Sequence, residues 1–343
     1  MRIVLIGAGM RPIPPVGYGG VERTIAEFSI ALRHAGDEVS ICNQVYPGRA
    51  AEYRFARQLP ALRAEFEGRV VHAHTPVVAN RLARLRIPFA YTTHSRHWFV
   101  REGFTQRLGY RLERRAVDQA ATTIALSEVL RREILAAATR RPSGPVTTVP
   151  LGVDLQRFSP RGSLGDGRQA LAVGTVLPIK RWELAARALA GTGIRLRLAG
   201  PQPDRDYADA VRAAGPVDLL GEISDDALLA EFQRADFLIH PSRVEVFPGV
   251  VAQAMACGLP VVGTAVIAPP VEEGVTGLVV AGGSDEEIVR AISAAAVRLR
   301  DNPELRETLG RAGRARAERD FDWGRIVEAH HALYLACGLA QAP

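Results

Sequence analysis

The feature that most constrains this chain is an alternation of short β-rich apolar runs with stretches of helical periodicity, which occurs twice along its 343 residues. In the first half, residues 2–6, 38–42, 70–73, 89–93, 122–125 and 146–149 read as strands, and residues 21–35 read as an amphipathic helix. Helical stretches separate the later strands. Residues 150–167, rich in Gly, Pro and Asp, read as a linker. The pattern then restarts, with strands expected at 170–173, 195–199, 217–220, 237–240 and 260–263 and helices at 182–190, 205–214, 225–235 and 249–257. Ser284 and Glu287 have the spacing of a capping box for a helix from Asp285, and two further helices are expected near 303–319 and 323–336. Neighbouring parallel strands must be joined by a crossover, usually a helix, so the alternation predicts parallel, doubly wound sheets. Such sheets bind ligands at the carboxyl ends of their strands. The length exceeds what one hydrophobic core usually serves, and the restart predicts two α/β domains of similar size.

Charge separates the two halves. Residues 1–150 carry 22 Arg against 12 Asp and Glu, whereas the remainder carries 20 Arg and one Lys against 25 acidic residues. A basic half points to an anionic partner: a phosphorylated acceptor, a nucleotide or an anionic membrane surface. The arginines are scattered without a nucleic-acid-binding motif, so no nucleic-acid partner is expected. No apolar run reaches the roughly 18 residues of a membrane span. Met1–Ile6 reads as a buried first strand and not as a signal peptide. Cys42, Cys257 and Cys337 have neither metal-site spacing nor a disulfide pattern. Together these features lead to the expectation of a cytoplasmic protein. With 42 arginines in the chain, the single lysine, Lys180, marks a position where a compact ammonium suits better than a planar fork, or else a surface lysine that survived by chance.

Several motifs fall at strand ends. Gly7-Ala-Gly9-Met-Arg-Pro12 begins like a dinucleotide fingerprint, but Pro12 stands where the third glycine belongs, so a turn is the better reading. Gly17-Tyr18-Gly19-Gly20 precedes a helix whose free N–H groups and dipole suit a phosphate, or is a loop that only needs positive φ. His72, His74 and His94 sit at the ends of their strands, without the spacing of a metal site. Lys180 and Arg181 follow a strand and a loop, where two cations would neutralise a diphosphate. Glu245 lies just before the helix at Gly249, placed to bind sugar hydroxyls or to cap that helix. Cys257 reads as packing within that helix.

At these residues the chain resembles the retaining glycosyltransferases of family 4, which have the GT-B fold. The likeness covers almost the whole chain. It runs through Gly17-Tyr-Gly-Gly-Val-Glu-Arg, Val70-Val-His-Ala-His, Thr92-Thr-His-Ser, Ile124-Ala-Leu-Ser, the segment from Val149 to Phe158, and Leu198-Ala-Gly-Pro. Its strongest block is Ala235 to Gly249, followed by Gln253-Ala-Met-Ala-Cys-Gly-Leu-Pro-Val-Val262. Val275-Thr-Gly-Leu-Val-Val and Phe321-Asp-Trp323 complete it. The resemblance implies an α/β protein of two Rossmann-like, doubly wound parallel-sheet domains facing a central cleft. Residues 1–150 would bind the acceptor and 151–318 the nucleotide sugar, with 319–343 a terminal helix crossing back to the first domain.

The resemblance also implies residue roles. His94, Lys180 and Glu245 would be catalytic. Donor contacts would come from Gly19, Gly20, Thr175, Lys180, Arg181, Gly221, Ile223, Glu245, Phe247, Pro248, Gly249, Val250 and Gln253. Acceptor contacts would come from Tyr18, His94, His97 and Trp98. No metal and no cofactor beyond the nucleotide-sugar co-substrate is expected, and the acceptor would be a small molecule or lipid-linked. The chain departs from the family pattern at Thr175, where Arg is usual, at Gln253, where a second Glu is usual, and at Ala265-Val-Ile-Ala-Pro269, where a Gly-Gly-x-Pro-Glu stretch is usual. These departures keep open a non-catalytic nucleotide-sugar-binding subunit, and the shared fold keeps open a sugar-nucleotide epimerase that uses the same cleft without an acceptor. Residues 97–115 combine Trp98, Phe99, Phe104 and Tyr110 with five arginines. They read as a surface for peripheral contact with an anionic membrane at the inner face, as an acceptor-binding region, or as a solvated face.

Overall fold

The computed structural model of the protein describes residues 1–17, 19–48, 50–100, 103–138, 142–162 and 165–340. The chain forms two compact units, one of Met1–Gly152 with Trp323–Pro343 and one of Val153–Asp322. In the first unit the order is β1 (Arg2–Ile6), α1 (Gly20–His34), β2 (Glu38–Cys42), α2 (Ala51–Gln58), β3 (Val70–Ala73), α3 (Pro76–Arg84), β4 (Ala90–Thr93), α4 (Phe104–Gln119), β5 (Thr122–Ala125), α5 (Glu128–Ala137) and β6 (Val146–Thr148). The second unit runs β7 (Gln169–Val173), α6 (Trp182–Leu189), β8 (Arg195–Ala199), α7 (Arg205–Ala214), β9 (Val217–Gly221), α8 (Asp225–Arg234), β10 (Phe237–His240), α9 (Gly249–Ala256), β11 (Val261–Thr264), β12 (Gly277–Val280), α10 (Asp285–Asp301) and α11 (Pro303–Asp320). The last helix, α12 (Trp323–Ala336), belongs to the first unit.

Each unit holds a six-stranded sheet, in the orders β2-β1-β3-β4-β5-β6 and β12-β11-β10-β7-β8-β9. Every strand pair is parallel. The winding reverses between β1 and β3 in the first sheet and between β7 and β10 in the second. In open α/β sheets such reversal points are where ligands bind, outside the carboxyl ends of the strands. The residues that follow these four strands therefore define where to look for chemistry.

Local sequence explains the elements. Ile3 to Ile6 are buried because helices cover both faces of β1, so the strand is continuously apolar and does not alternate. Helix α1 buries Ile25, Phe28, Ser29 and Leu32, at the i, i+3, i+4, i+7 spacing of one helical face. The expected capping box is present at α10, where Ser284 and Glu287 satisfy each other's backbone N–H groups. Strand β12 was not expected as a strand. Its Gly-Leu-Val-Val run is too short for alternation to show, and only pairing with β11 makes it one.

The first unit's core joins Ile3, Leu5, Ile25, Phe28 and Leu32 to Ile326, Val327 and Tyr334 of α12. Gly152 makes that docking possible, since a Cβ there would lie 2.2 Å from the Trp323 ring. The second unit's core is built on Trp182, Leu184, Leu196, Leu198, Phe237, Ile239, Ile288 and Ile292. Among the described residues, no helix is long and apolar enough to cross a membrane.

Candidate functional site

In the first unit the carboxyl ends of β1, β3 and β4 present a loop and a row of imidazoles. The loop after β1 turns at Gly9, with φ +67°, and Asn43 braces it by accepting from the Gly9 N–H at 2.8 Å and donating to the Arg11 carbonyl at 2.9 Å. A Cβ on Gly9 would strike Phe55 at 2.4 Å. These glycines serve a packed turn. Helix α1 starts at Gly20 with no side-chain cap, and a Cβ on Gly20 would meet nothing within 4 Å. The protein itself thus does not require a glycine at position 20. Tyr18, expected at the acceptor, lies outside the described residues.

The imidazoles form a chain. His72 engages both ring nitrogens, Nδ1 with Tyr334 Oη at 2.8 Å and Nε2 with Thr92 Oγ1 at 2.8 Å. Its ring stacks on His74 at 4.4 Å. His74 Nδ1 meets His94 Nε2 at 3.1 Å. His330 of α12 closes the group, with Nδ1–H donating to the Ile326 carbonyl at 2.7 Å. Burial holds these rings neutral. It depresses His94 and His330 to about 4 and takes His72 and His74 well below the usual imidazole range, with the neighbouring imidazoles adding to the effect on the last two. His94 itself is half-buried.

A buried carboxyl underpins the same strand. Glu113 of α4 is fully buried and accepts from Tyr91 Oη at 2.7 Å and Thr93 Oγ1 at 2.9 Å. Desolvation raises it to about 7 despite these bonds. Trp98 departs from expectation. It is 1% exposed and donates its indole N–H to Thr93 Oγ1 at 3.2 Å, so it packs under the His94 loop and offers no face to an acceptor. It also drops out of the basic aromatic surface expected over residues 97–115. His97 is half-buried, its backbone N–H held by Ser95 Oγ at 3.1 Å.

In the second unit the ends of β7 and β10 carry a charged cluster. Lys180 Nζ lies 2.5 Å from Glu245 Oε1, and His240 Nε2 lies 2.8 Å from the same oxygen. Burial pushes Glu245 up, but the hydrogen bond and charge of His240 and the charge of Lys180 outweigh it and hold the carboxylate down at about 2. The loops bearing these groups are stitched together by the Arg243 N–H donating to the Ile179 carbonyl at 2.9 Å. His240 was read only as the end of a strand. Its ring is 2% exposed and packs edge-on to Trp182 at 5.8 Å. A polar residue closing an otherwise apolar strand was the available signal.

The other expected donor contacts are more dispersed. Thr175 spends its carbonyl on the Trp182 indole N–H at 3.0 Å. Arg181, at φ 55°, turns its guanidinium to Asp285, 3.7 Å away. The Gly221 carbonyl accepts from Gly200, and Ile223 follows half-buried. Phe247 is 8% exposed and packs edge-on against Phe321. Pro248 precedes α9, where Gly249, Val250 and Gln253 are half-buried. Cys257 caps the carboxyl end of α9, and burial pushes its thiol to about 12. Among the described residues, no group of three or more His, Cys, Asp or Glu is placed to hold a metal ion.

Comparison with known proteins sets this geometry in context. Residues 18–157 match the model for Glycosyltransferase Family 4, and residues 168–296 match that for Glycosyl transferases group 1. The D-inositol 3-phosphate glycosyltransferase of Actinosynnema mirum is 34% identical over 253 residues, 65% of this chain and 59% of that protein. Its Mycobacterium tuberculosis counterpart is 32% identical over 243 residues, 65% of this chain and 50% of that protein. The chain therefore spans about half to three fifths of the curated relatives it matches. In three dimensions it is similar to sucrose-phosphate synthase from Thermosynechococcus elongatus, with TM-score 0.82 and 23% identity over 99% of this chain and 100% of that one. It is also similar to Anabaena HepE in complex with UDP and glucose, with TM-score 0.74 and 19% identity over 98% of this chain and 100% of that one.

Proposed function

Since the chain belongs to glycosyltransferase family 4 and has the GT-B fold, we propose that it moves a glycosyl residue from a nucleotide-diphosphate sugar to an acceptor hydroxyl, with retention of configuration and without a metal ion. The observation that carries this reading is the Lys180–Glu245–His240 cluster at the winding reversal of the second sheet. In the proposed reaction the bond between the anomeric carbon and the diphosphate oxygen breaks, and the electron pair leaves with the phosphate. Lys180 and the N–H groups that open α9 stabilise that charge, a kind of term worth about 10²- to 10³-fold in rate per donor removed. Glu245, held ionised, orients the sugar through its hydroxyls and shares Lys180 with the arriving diphosphate. The acceptor oxygen attacks from the leaving-group side, and its proton passes to the departing phosphate oxygen. His94, neutral in its buried setting, hydrogen-bonds to the acceptor or to the leaving phosphate.

The acceptor is proposed to be anionic, because the first 150 residues carry the arginine excess. A phosphorylated polyol, such as the inositol 3-phosphate in the name of the curated relatives, fits that charge. A second reading, a lipid-linked acceptor met at the inner face of an anionic membrane, is favoured by α4, where Phe104 is 84% and Leu108 42% exposed beside exposed Arg107, Arg111 and Arg115. Failure of vesicles rich in anionic lipid to pellet the protein would remove this reading.

The test of the main proposal is a thermal-shift screen against UDP, GDP, dTDP and ADP and their sugar conjugates. A ligand at a hundred times its Kd stabilises the folded state by about 2.7 kcal/mol. A selective shift that Lys180→Ala abolishes is the expected result. No shift with any nucleotide would favour a non-catalytic subunit, and conversion of a nucleotide sugar without acceptor would favour an epimerase.

A further inference from the structure

We infer that His74 is a positioning residue that fixes His94 as the Nδ1–H tautomer, so that His94 meets its substrate as an N–H donor. The inference rests on the transferase reading for its functional consequence and on geometry for its substance. His74 is 3% exposed, and its Nε2 is enclosed without a partner among the described residues, while its Nδ1 meets His94 Nε2 at 3.1 Å. Exactly one proton lies between those two nitrogens when both rings are neutral. If His94 supplies it, His74 must carry its own proton on Nε2, as a buried donor with nothing to bond. If His74 supplies it, the orphan on His74 is a bare lone pair. Buried N–H groups without partners are the rarer of the two in folded proteins, so the proton is assigned to His74 Nδ1.

Three supports hold His74 in that role. Its ring is stacked on His72 with 23° between the planes. His72 is in turn clamped between Tyr334 of α12 and Thr92 of β4. Thr93, next along the strand, is tied to buried Glu113. With His94 Nε2 occupied, the remaining proton of His94 is on Nδ1, for which no protein partner is present among the described residues. His94 then offers one directed N–H and cannot serve as a base without giving up the bond to His74. This suits a group that donates to a phosphate or sugar oxygen, and in other sites a histidine's second nitrogen sets its tautomer in the same way.

The test is nitrogen NMR of ring-labelled histidine in the full chain near neutral pH, with His94 assigned by its loss in His94→Gln. The expected spectrum shows His94 with Nδ1 protonated and Nε2 bare. His74→Phe, which keeps an aromatic ring against His72 but has no N–H, is expected to release His94 into a mixture of tautomers. His74→Asn, whose amide keeps a donor, is expected to restore the wild-type pattern. A protonated Nε2 in the wild type, or an unchanged His94 in His74→Phe, overturns the inference; the wild-type spectrum decides alone if a variant does not fold. In transfer assays His74→Phe is expected to lower kcat by about 10- to 100-fold, the scale seen when a metal-bound histidine loses the partner that orients it. Donor KM should stay within about twofold, as expected when an interaction made only in the transition state is lost. If the wild type transfers no sugar at all, the transferase reading fails while the NMR still decides the tautomer.

Discussion

The carboxyl ends of the two sheets are built on similar topology and treat charge in opposite ways. In the first unit, His72, His74, His94 and His330 are packed so that every imidazole stays neutral, and Glu113 is pushed up to about 7. In the second, Glu245 is comparably enclosed yet remains ionised down to about 2. Burial acts in the same sense on both, penalising the charged form. What differs is the counter-charge: Glu245 has Lys180 and His240 on one oxygen, whereas among the described residues the imidazoles have one another, hydroxyls and carbonyls. The comparison teaches that doubly wound sheets of one topology can offer a neutral hydrogen-bonding surface or a charged one, depending on whether a cation reaches the buried group.

The sharpest test of this contrast is acid. A histidine whose folded pKa is depressed contributes stability at high pH that is lost as pH falls from the unfolded value, about 6.5, through the folded value. For His94 and His330, with folded values of about 4, the loss over that window is on the order of 5 kcal/mol together, and His72 and His74 add to it. Glu113 works against them. Its raised pKa favours the fold at low pH and costs roughly 3 kcal/mol as pH rises from about 4.5 to 7. Glu245, depressed, keeps its contribution until pH falls below about 4.5. Hydrogen exchange, corrected for its intrinsic pH dependence, should therefore show β3 and β4 losing protection between pH 6.5 and 4 while β7 and β10 keep theirs. Simultaneous loss in both units would break the comparison.

Next in size is Lys180→Ala. It should lower kcat/KM for the best donor by about 10²- to 10³-fold at unchanged far-UV circular dichroism, since it removes a placed cation from the proposed leaving group. A change within about threefold would contradict the role of the charged cluster, because a positioned donor is worth far more. His240→Leu should cost roughly 2 kcal/mol in denaturant unfolding, the scale of a hydrogen bond to a charged group. It should also raise the pKa of Glu245, visible in a pH titration of the carboxyl carbon by NMR. A Glu245 pKa that does not move would show that Lys180 alone sets its charge. The smallest effect is expected from Tyr334→Phe, which removes the hydroxyl facing His72 Nδ1 and should cost about 1 kcal/mol in the same unfolding measurement.

Much of the architecture was legible because it is written in local periodicity. The apolar runs at 2–6, 38–42, 70–73, 122–125 and 237–240 are strands with those bounds, and the Ser284–Glu287 pair caps α10. Strand β12 escaped because four residues carry too little pattern. The site was legible in outline, in that Lys180 and Glu245 do converge and His94 does sit beyond the end of β4. Trp98 was misjudged because an aromatic residue in a basic stretch looks the same from sequence whether it faces water or, as here, packs against Tyr110 and bonds to Thr93. Arg181, read as a second cation for a diphosphate, has a local partner in Asp285 that spacing along the chain could not reveal.

The amino-acid sequence by itself determined the class of fold, the order of strands and helices along the chain and the placing of polar residues at strand ends. These depend on residues a few positions apart. Only the tertiary structure decided which of those polar residues are charged and which way each imidazole faces. His72 takes its proton partner from Tyr334, 262 positions away, and Glu245 takes its cation from Lys180, 65 positions away. A pKa or a tautomer is the sum of desolvation and a few contacts within hydrogen-bonding distance, and those contacts exist only after distant segments have packed.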